Sequence, residues 1–203
     1  MMQSPYTMFP SEQDIIASPV FCPDKKLSGI METLLVKEII GSDSIGGRVS
    51  LICRGMPAGI GSPVYDKLNA RLAGAIMSIN ASRGIEFGQG MISSTLRGSD
   101  AIDTYVKVSD SGERLRLRSE KNRAGGIEGG MTTGDDICLS VAFKPTPSRP
   151  YPVKSFDTSG NNIEITPGGR HDPCVAIRAV PVVESMAAII FLDELLIART
   201  AQW

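Results

Sequence analysis

From Pro181 onward the chain carries more apolar surface than one exposed helix can hold. Val182, Val183, Met186, Ile189, Ile190, Leu192, Leu195 and Leu196 recur at helical spacing and cover much of the circumference. Such a helix needs cover on more than one side, either inside its domain or between subunits. Pro181 reads as its start, because proline fits the first helical position. The longest apolar run, Val180 to Ile197, is broken by Glu184, Asp193 and Glu194, so no membrane crossing is expected.

The rest of the chain supplies mixed elements. Leu27, Ile30, Met31, Leu34, Leu35 and Ile39 form a helical stripe over Lys25–Ile40, with Gly41 as the stop. Val49, Leu51 and Cys53 share one face of a strand over Arg48–Cys53. Ser62-Pro63 reads as the start of a second helix that buries Val64, Leu68, Leu72, Ala75, Ile76 and Ile79. A short strand follows at Gly84–Gly88, and Ser93–Val106 is ambiguous. In the polar stretch Lys107–Asn122, Arg114, Arg116 and Arg118 alternate with Leu115 and Leu117, which suits a solvated edge hairpin. Ile137, Leu139, Val141 and Phe143 alternate cleanly as a half-buried strand, and Ile163–Ile165 suggests another. There is no regular βαβ repetition, so the fold class is α+β. Residues 1–22, with Pro5, Pro10 and Pro19, read as an N-terminal arm, and 23–203 as the domain.

Composition removes several functions. The 21 Lys+Arg against 22 Asp+Glu leave a net charge of -1, and aromatics are 5%, so a nucleic-acid surface is not expected. His171 is the only histidine, which excludes a multi-histidine metal site. Cys22, Cys53, Cys138 and Cys174 are widely spread and lack C-x-x-C spacing, so neither zinc nor a disulfide framework is indicated. No basic n-region with an apolar h-region opens the chain, and the expected compartment is cytoplasmic, with reduced thiols.

Three loops concentrate ligand-facing residue types. They are Ser78–Gly84, the glycine run Ala124–Gly134 taken together with Lys144–Arg149, and Arg170-His171-Asp172. Cations, hydroxyls and glycine backbone suit an anionic, phosphate-bearing ligand. Each loop has an ordinary structural reading as well: a loop lysine before Pro-Thr-Pro, or a hydrogen-bonded His–Asp pair. Neither G-x-x-x-x-G-K-[ST] nor G-x-G-x-x-G occurs.

At these loops the chain resembles the chorismate synthase family. The matching blocks include Gly61-Ser62-Pro63-Val64-Tyr65-Asp66-Lys67-Leu68, Met77-Ser78-Ile79-Asn80-Ala81 and Asn122-Arg123-Ala124-Gly125-Gly126. The most specific are Ala142-Phe143-Lys144-Pro145-Thr146-Pro147-Ser148, Gly169-Arg170-His171-Asp172-Pro173-Cys174 and Arg178-Ala179-Val180-Pro181-Val182. The resemblance covers the C-terminal half of the family's usual chain. It implies helices layered on antiparallel sheet, without the N-terminal half of a duplicated fold. It also implies reduced FMN as cofactor and 5-enolpyruvylshikimate 3-phosphate as substrate, with anti 1,4-elimination of phosphate giving chorismate.

Carried over by position, Asn80 and Ala81 would touch the flavin, and Gly129 would let backbone approach it. Lys144, Pro145, Thr146, Pro147 and Ser148 would hold its polar edge and phosphate. Arg170 would bridge flavin and substrate, and Asp172 would be the base. Ser62 stands where the family usually has Glu. The family's two catalytic histidines and its arginine-rich substrate segment have no counterpart among these residues. Turnover by this chain alone is therefore not expected. A homo-oligomer, or a chain supplying the N-terminal half, is the implied partner. A non-catalytic flavin-binding or assembly protein is the alternative reading.

Overall fold

A computed structural model describes residues 10–109, 116–169 and 171–201. In chain order the elements are α1 (Glu12–Ile16), α2 (Lys25–Ile40), β1 (Gly47–Cys53), α3 (Leu68–Met77) and β2 (Ser82–Phe87). After a 3-10 turn at Gly90–Thr95 come α4 (Gly98–Ala101), β3 (Tyr105–Ser109), β4 (Arg116–Ser119), β5 (Ile127–Glu128) and β6 (Met131–Thr132). The chain ends in β7 (Ile137–Phe143), β8 (Val153–Phe156), β9 (Asn162–Ile165) and α5 (Val175–Thr200).

The central sheet has the order β1-β7-β2, with both pairs antiparallel. β7 lies in the middle, and its alternation is the reason. Ile137, Leu139, Val141 and Phe143 are all buried, while Cys138, Ser140 and Ala142 face the other way. α3 and α5 cover the apolar face. Leu68, Leu72 and Ile76 of α3 are fully buried, as is Val183 of α5. Each such side chain contributes on the order of 1.5–3 kcal/mol. α5 approaches β1 closely because it turns Ala176, Ala179 and Ala187 inward. A Cβ on Gly47 would fall 2.6 Å from that of Ala176. Arg71 joins the two helices by pairing with Asp193 and, at 2.6 Å, with the buried Glu194. β3–β4, β5–β6 and β8–β9 are separate hairpins. This is an α+β architecture of helices on antiparallel sheet, as the sequence implies.

Four expectations change. The helix expected from Ser62-Pro63 begins at Leu68, and Val64 and Tyr65 are exposed. Its entry is set by tertiary contact, because the Leu68 N–H donates to the Gly130 carbonyl at 2.9 Å in the β5–β6 turn. Tyr65 and Asp66 take positive φ (53° and 23°) in the turn before it. The terminal helix begins at Val175, so Pro181 is interior and forgoes one ladder hydrogen bond.

The stripe of α2 also faces outward. Leu27, Ile30, Met31, Leu34 and Ile39 are exposed, and Leu35 alone of the stripe packs on the core. On α5 the face opposite the sheet, with Val182, Ile189, Leu192 and Leu196, is likewise exposed. By length and composition α5 could cross a membrane, a property it shares with core helices of water-soluble proteins. Here its inner side is packed on the sheet.

Within the expected N-terminal arm, the Ser11 side chain caps α1 and the Ser18 hydroxyl meets that of Ser28 on α2 at 2.8 Å. The expected edge hairpin forms between β3 and β4, although Arg114 and Leu115 lie outside the described residues.

Candidate functional site at the end of the central sheet

The register of the sheet brings distant loops together. Gly47 of β1 and Ser82 of β2 both stand opposite Phe143, the last residue of β7. The segments entering β1, entering β2 and leaving β7 therefore meet at one end. Ser44–Gly46, Asn80-Ala81 and Lys144–Ser148 are those segments. The Lys144 N–H donates to the Ala81 carbonyl at 3.0 Å. Ala81 takes φ 70° to turn the chain from α3 into β2, and the Ser82 hydroxyl closes that turn on the Ile79 carbonyl at 2.8 Å. A fourth segment joins through the Ile45 N–H, which donates to the Pro173 carbonyl at 2.8 Å. Asp172-Pro173-Cys174 thus sits beside the other three, at the start of α5.

Gly46 is required at this junction. A Cβ there would lie 2.7 Å from the Phe143 carbonyl oxygen and 3.3 Å from Pro145 Cδ.

The proline-rich loop is fastened to the α2–β1 connection. The Ser44 hydroxyl donates to the Thr146 carbonyl at 2.6 Å. Arg149 pairs with Asp43 and stacks over Tyr151, 5.4 Å from its ring centre. The Tyr151 hydroxyl reaches the Gly41 carbonyl at 3.1 Å. The Ser44 N–H, then the Arg149 guanidinium, hold the Asp43 carboxyl below its usual range. Pro145 and Pro147 stiffen the loop further. Among the described residues, the Lys144 amine and the hydroxyls of Thr146 and Ser148 have no intramolecular hydrogen-bond or ion-pair partner. A cation and two hydroxyls on a braced loop are a donor set suited to phosphate.

Asp172 is half-buried, and its carboxylate pairs with Arg178 Nε at 3.1 Å, across the first turn of α5. His171 is exposed, its Nε2 lying 3.1 Å from the Gly168 carbonyl. Arg170 lies outside the described residues.

Gly129 is not brought to this cluster. It sits exposed in the β5–β6 turn at φ 61°, with open space where a Cβ would point. That hairpin packs at the opposite end of β7, where Gly126 meets Asp136 and Ile137. The seven residues of β7 separate the two ends by roughly 20 Å. The glycine run and the proline-rich loop, neighbours in the sequence, are held apart by the strand between them.

Sequence reasoning missed Asp43 and Ser44 as braces and Arg178 as the partner of Asp172. The turn composition Gly41-Ser42-Asp43-Ser44 was visible, but its contact with Thr146, a hundred positions away, was not.

The family model described as chorismate synthase matches residues 5–196. A chorismate synthase of Erythrobacter litoralis is 44% identical over 185 residues, spanning 90% of this chain and 50% of that protein. One from Porphyromonas gingivalis is 41% identical over 192 residues, spanning 95% and 51%. A crystal structure of chorismate synthase superposes with a TM-score of 0.74 at 25% identity, over 95% of this chain and 50% of that one. The chain thus spans about half the length of the relatives it matches.

Proposed function

The chain belongs to the chorismate synthase family, a family of lyases, and we propose that it carries the reduced-FMN half-site of that reaction. The observation that carries this reading is the meeting of Asn80-Ala81, Lys144–Ser148 and Asp172 at one end of the sheet. The donor set fits the proposed group, since the unpaired Lys144 amine and the Thr146 and Ser148 hydroxyls suit the FMN phosphate. When bound, reduced FMN would supply electron density as the C–O bond of 5-enolpyruvylshikimate 3-phosphate breaks, and would take up the C6 hydrogen.

The chain's own residues would do the rest. Lys144 neutralises phosphate charge, while Thr146 and Ser148 orient it. Asn80 and Ala81 border the ring. Asp172, held by Arg178, is the carboxylate available to receive a proton. Arg170 follows Asn80 and Asp172 into this proposal on the strength of its sequence block alone. Gly129 reaches such a ligand only if the ligand extends beyond this cluster or another copy contributes the residue.

Turnover needs proton donors that this chain lacks, since its sole histidine, His171, is engaged at Gly168. We place those groups, together with the cover for the outer faces of α2 and α5, on a second chain segment. The proton donors call for a segment with the family's N-terminal half, since another copy carries the same single histidine; the cover for the outer faces could come from either. The compartment we propose is the cytoplasm, a reading supported by membership in this biosynthetic family.

The test is anaerobic titration with reduced FMN, with and without 5-enolpyruvylshikimate 3-phosphate, followed by an assay for chorismate. Flavin binding without product is the expected result. Chorismate formation would show that the missing histidines are dispensable, and absence of flavin binding would remove the site assignment.

A further inference from the structure

Ser44 stands beside the proline-rich loop without belonging to it, and among the described residues its hydroxyl makes one hydrogen bond, to that loop. The Ser44 hydroxyl donates to the Thr146 carbonyl at 2.6 Å. The next residue, Pro147, has no N–H, so the Thr146–Pro147 peptide carries an acceptor and no donor. A free acceptor at the mouth of an anion site repels the anion, whereas amines, hydroxyls and N–H groups attract it. With that carbonyl occupied by Ser44, the loop is left with the Lys144 amine and the Thr146 and Ser148 hydroxyls as its unpaired polar side-chain groups among the described residues. Two further contacts hold the same alignment. Arg149, at the far end of the loop, pairs with Asp43, and the Lys144 N–H at the near end is tied to the Ala81 carbonyl at 3.0 Å. The loop is therefore fixed at both ends and in the middle, and the middle tie is the one that hides an acceptor.

We propose that Ser44 is a positioning residue that makes the Lys144–Ser148 loop selective for the phosphate of a flavin nucleotide over the unphosphorylated flavin. This rests on the half-site reading above and adds to it a residue outside the matched loop. Ser44 touches neither ring nor phosphate. It acts through the Thr146 peptide, so its effect should appear only for ligands that carry the phosphate.

The test titrates the full chain anaerobically with reduced FMN and with reduced riboflavin, using the unsubstituted protein, Ser44→Ala and Ser44→Thr. The unsubstituted chain is expected to bind FMN more tightly than riboflavin. Ser44→Ala should lower that preference about fivefold, the effect of one ordinary hydrogen bond, and leave riboflavin affinity unchanged. Ser44→Thr, which keeps the hydroxyl, should restore the preference. A preference unaltered in Ser44→Ala, or an equal loss for both flavins, would overturn the proposal while leaving the half-site reading intact. If the unsubstituted chain binds both flavins equally, phosphate recognition by this loop is refuted.

If it binds neither, the flavin reading falls, and the positioning role is judged with inorganic phosphate alone. Shifts of the Thr146 and Ser148 amide resonances that are lost in Ser44→Ala would support it. No shift in the unsubstituted chain would overturn it.

Discussion

Replacing Gly46 by alanine should uncouple the candidate site from the sheet that supports it. The added Cβ would fall 2.7 Å from the Phe143 carbonyl oxygen and 3.3 Å from Pro145 Cδ. The first of these is backbone at the last position of the central strand, so no side-chain rotation relieves it. Either the entry to β1 moves away from β7, or the Lys144–Ser148 loop is displaced. Inserting one methyl group into such a junction costs typically 1–3 kcal/mol. The same shift would stretch the Ser44–Thr146 and Ile45–Pro173 hydrogen bonds, which lie one or two residues away.

Gly29→Ala is the matched control. Gly29 is interior to α2, and an added Cβ there has nothing within 4 Å. That substitution should stabilise by about 0.5–1 kcal/mol through helix propensity. Urea denaturation of both variants, at one fixed protein concentration, measures the two effects. Reduced-FMN affinity should fall for Gly46→Ala and stay constant for Gly29→Ala. If Gly46→Ala unfolds at the same urea concentration as the parent, the argument that this junction is packed to contact is wrong.

The ion cluster between α3 and α5 should behave asymmetrically. Arg71→Met strands Glu194, whose side chain is 4% exposed, and should cost about 3–5 kcal/mol, whereas Asp193→Asn, at a side chain 49% exposed, should cost less than about 1 kcal/mol. Adding Glu194→Leu to Arg71→Met should recover most of the loss, and equal costs for the two single substitutions in denaturation would refute this. Cys138 should be a slow thiol. Burial, then the Asp136 charge, push it up to about 11. Its alkylation rate should therefore climb about tenfold per pH unit from pH 8 to pH 10, as the thiolate fraction grows. The folded state holds this proton more tightly than the unfolded chain does. Its contribution to stability is thus present below about pH 9 and lost as the pH rises towards 11. A mass-resolved alkylation profile that is flat over that range would count against the buried thiol.

Much of this protein was decided locally. The alternation Ile137 to Phe143 could make only a half-buried strand, and the spacing from Lys25 to Ile40 only a helix; both elements have those bounds. The residue types of the loops, and the blocks that carry the family resemblance, are properties of short stretches and were legible without coordinates. What the sequence left open depended on partners far along the chain. α3 starts at Leu68 because Gly130 offers a carbonyl there. α5 runs six residues before its proline because its first turns are anchored on β1. The stripe of α2 has the right period for burial and still faces outward, since periodicity marks a face without supplying what covers it. Gly129 and Lys144 looked like parts of one site until the length of β7 came between them. Ser44 carried no signal of its contact in the sequence, and only the folded chain sets it against Thr146. Helical and strand periods are fixed by dihedral preferences over a few residues, and so can be read in order. A hydrogen bond between residues a hundred positions apart exists only once the sheet register has brought their backbones together.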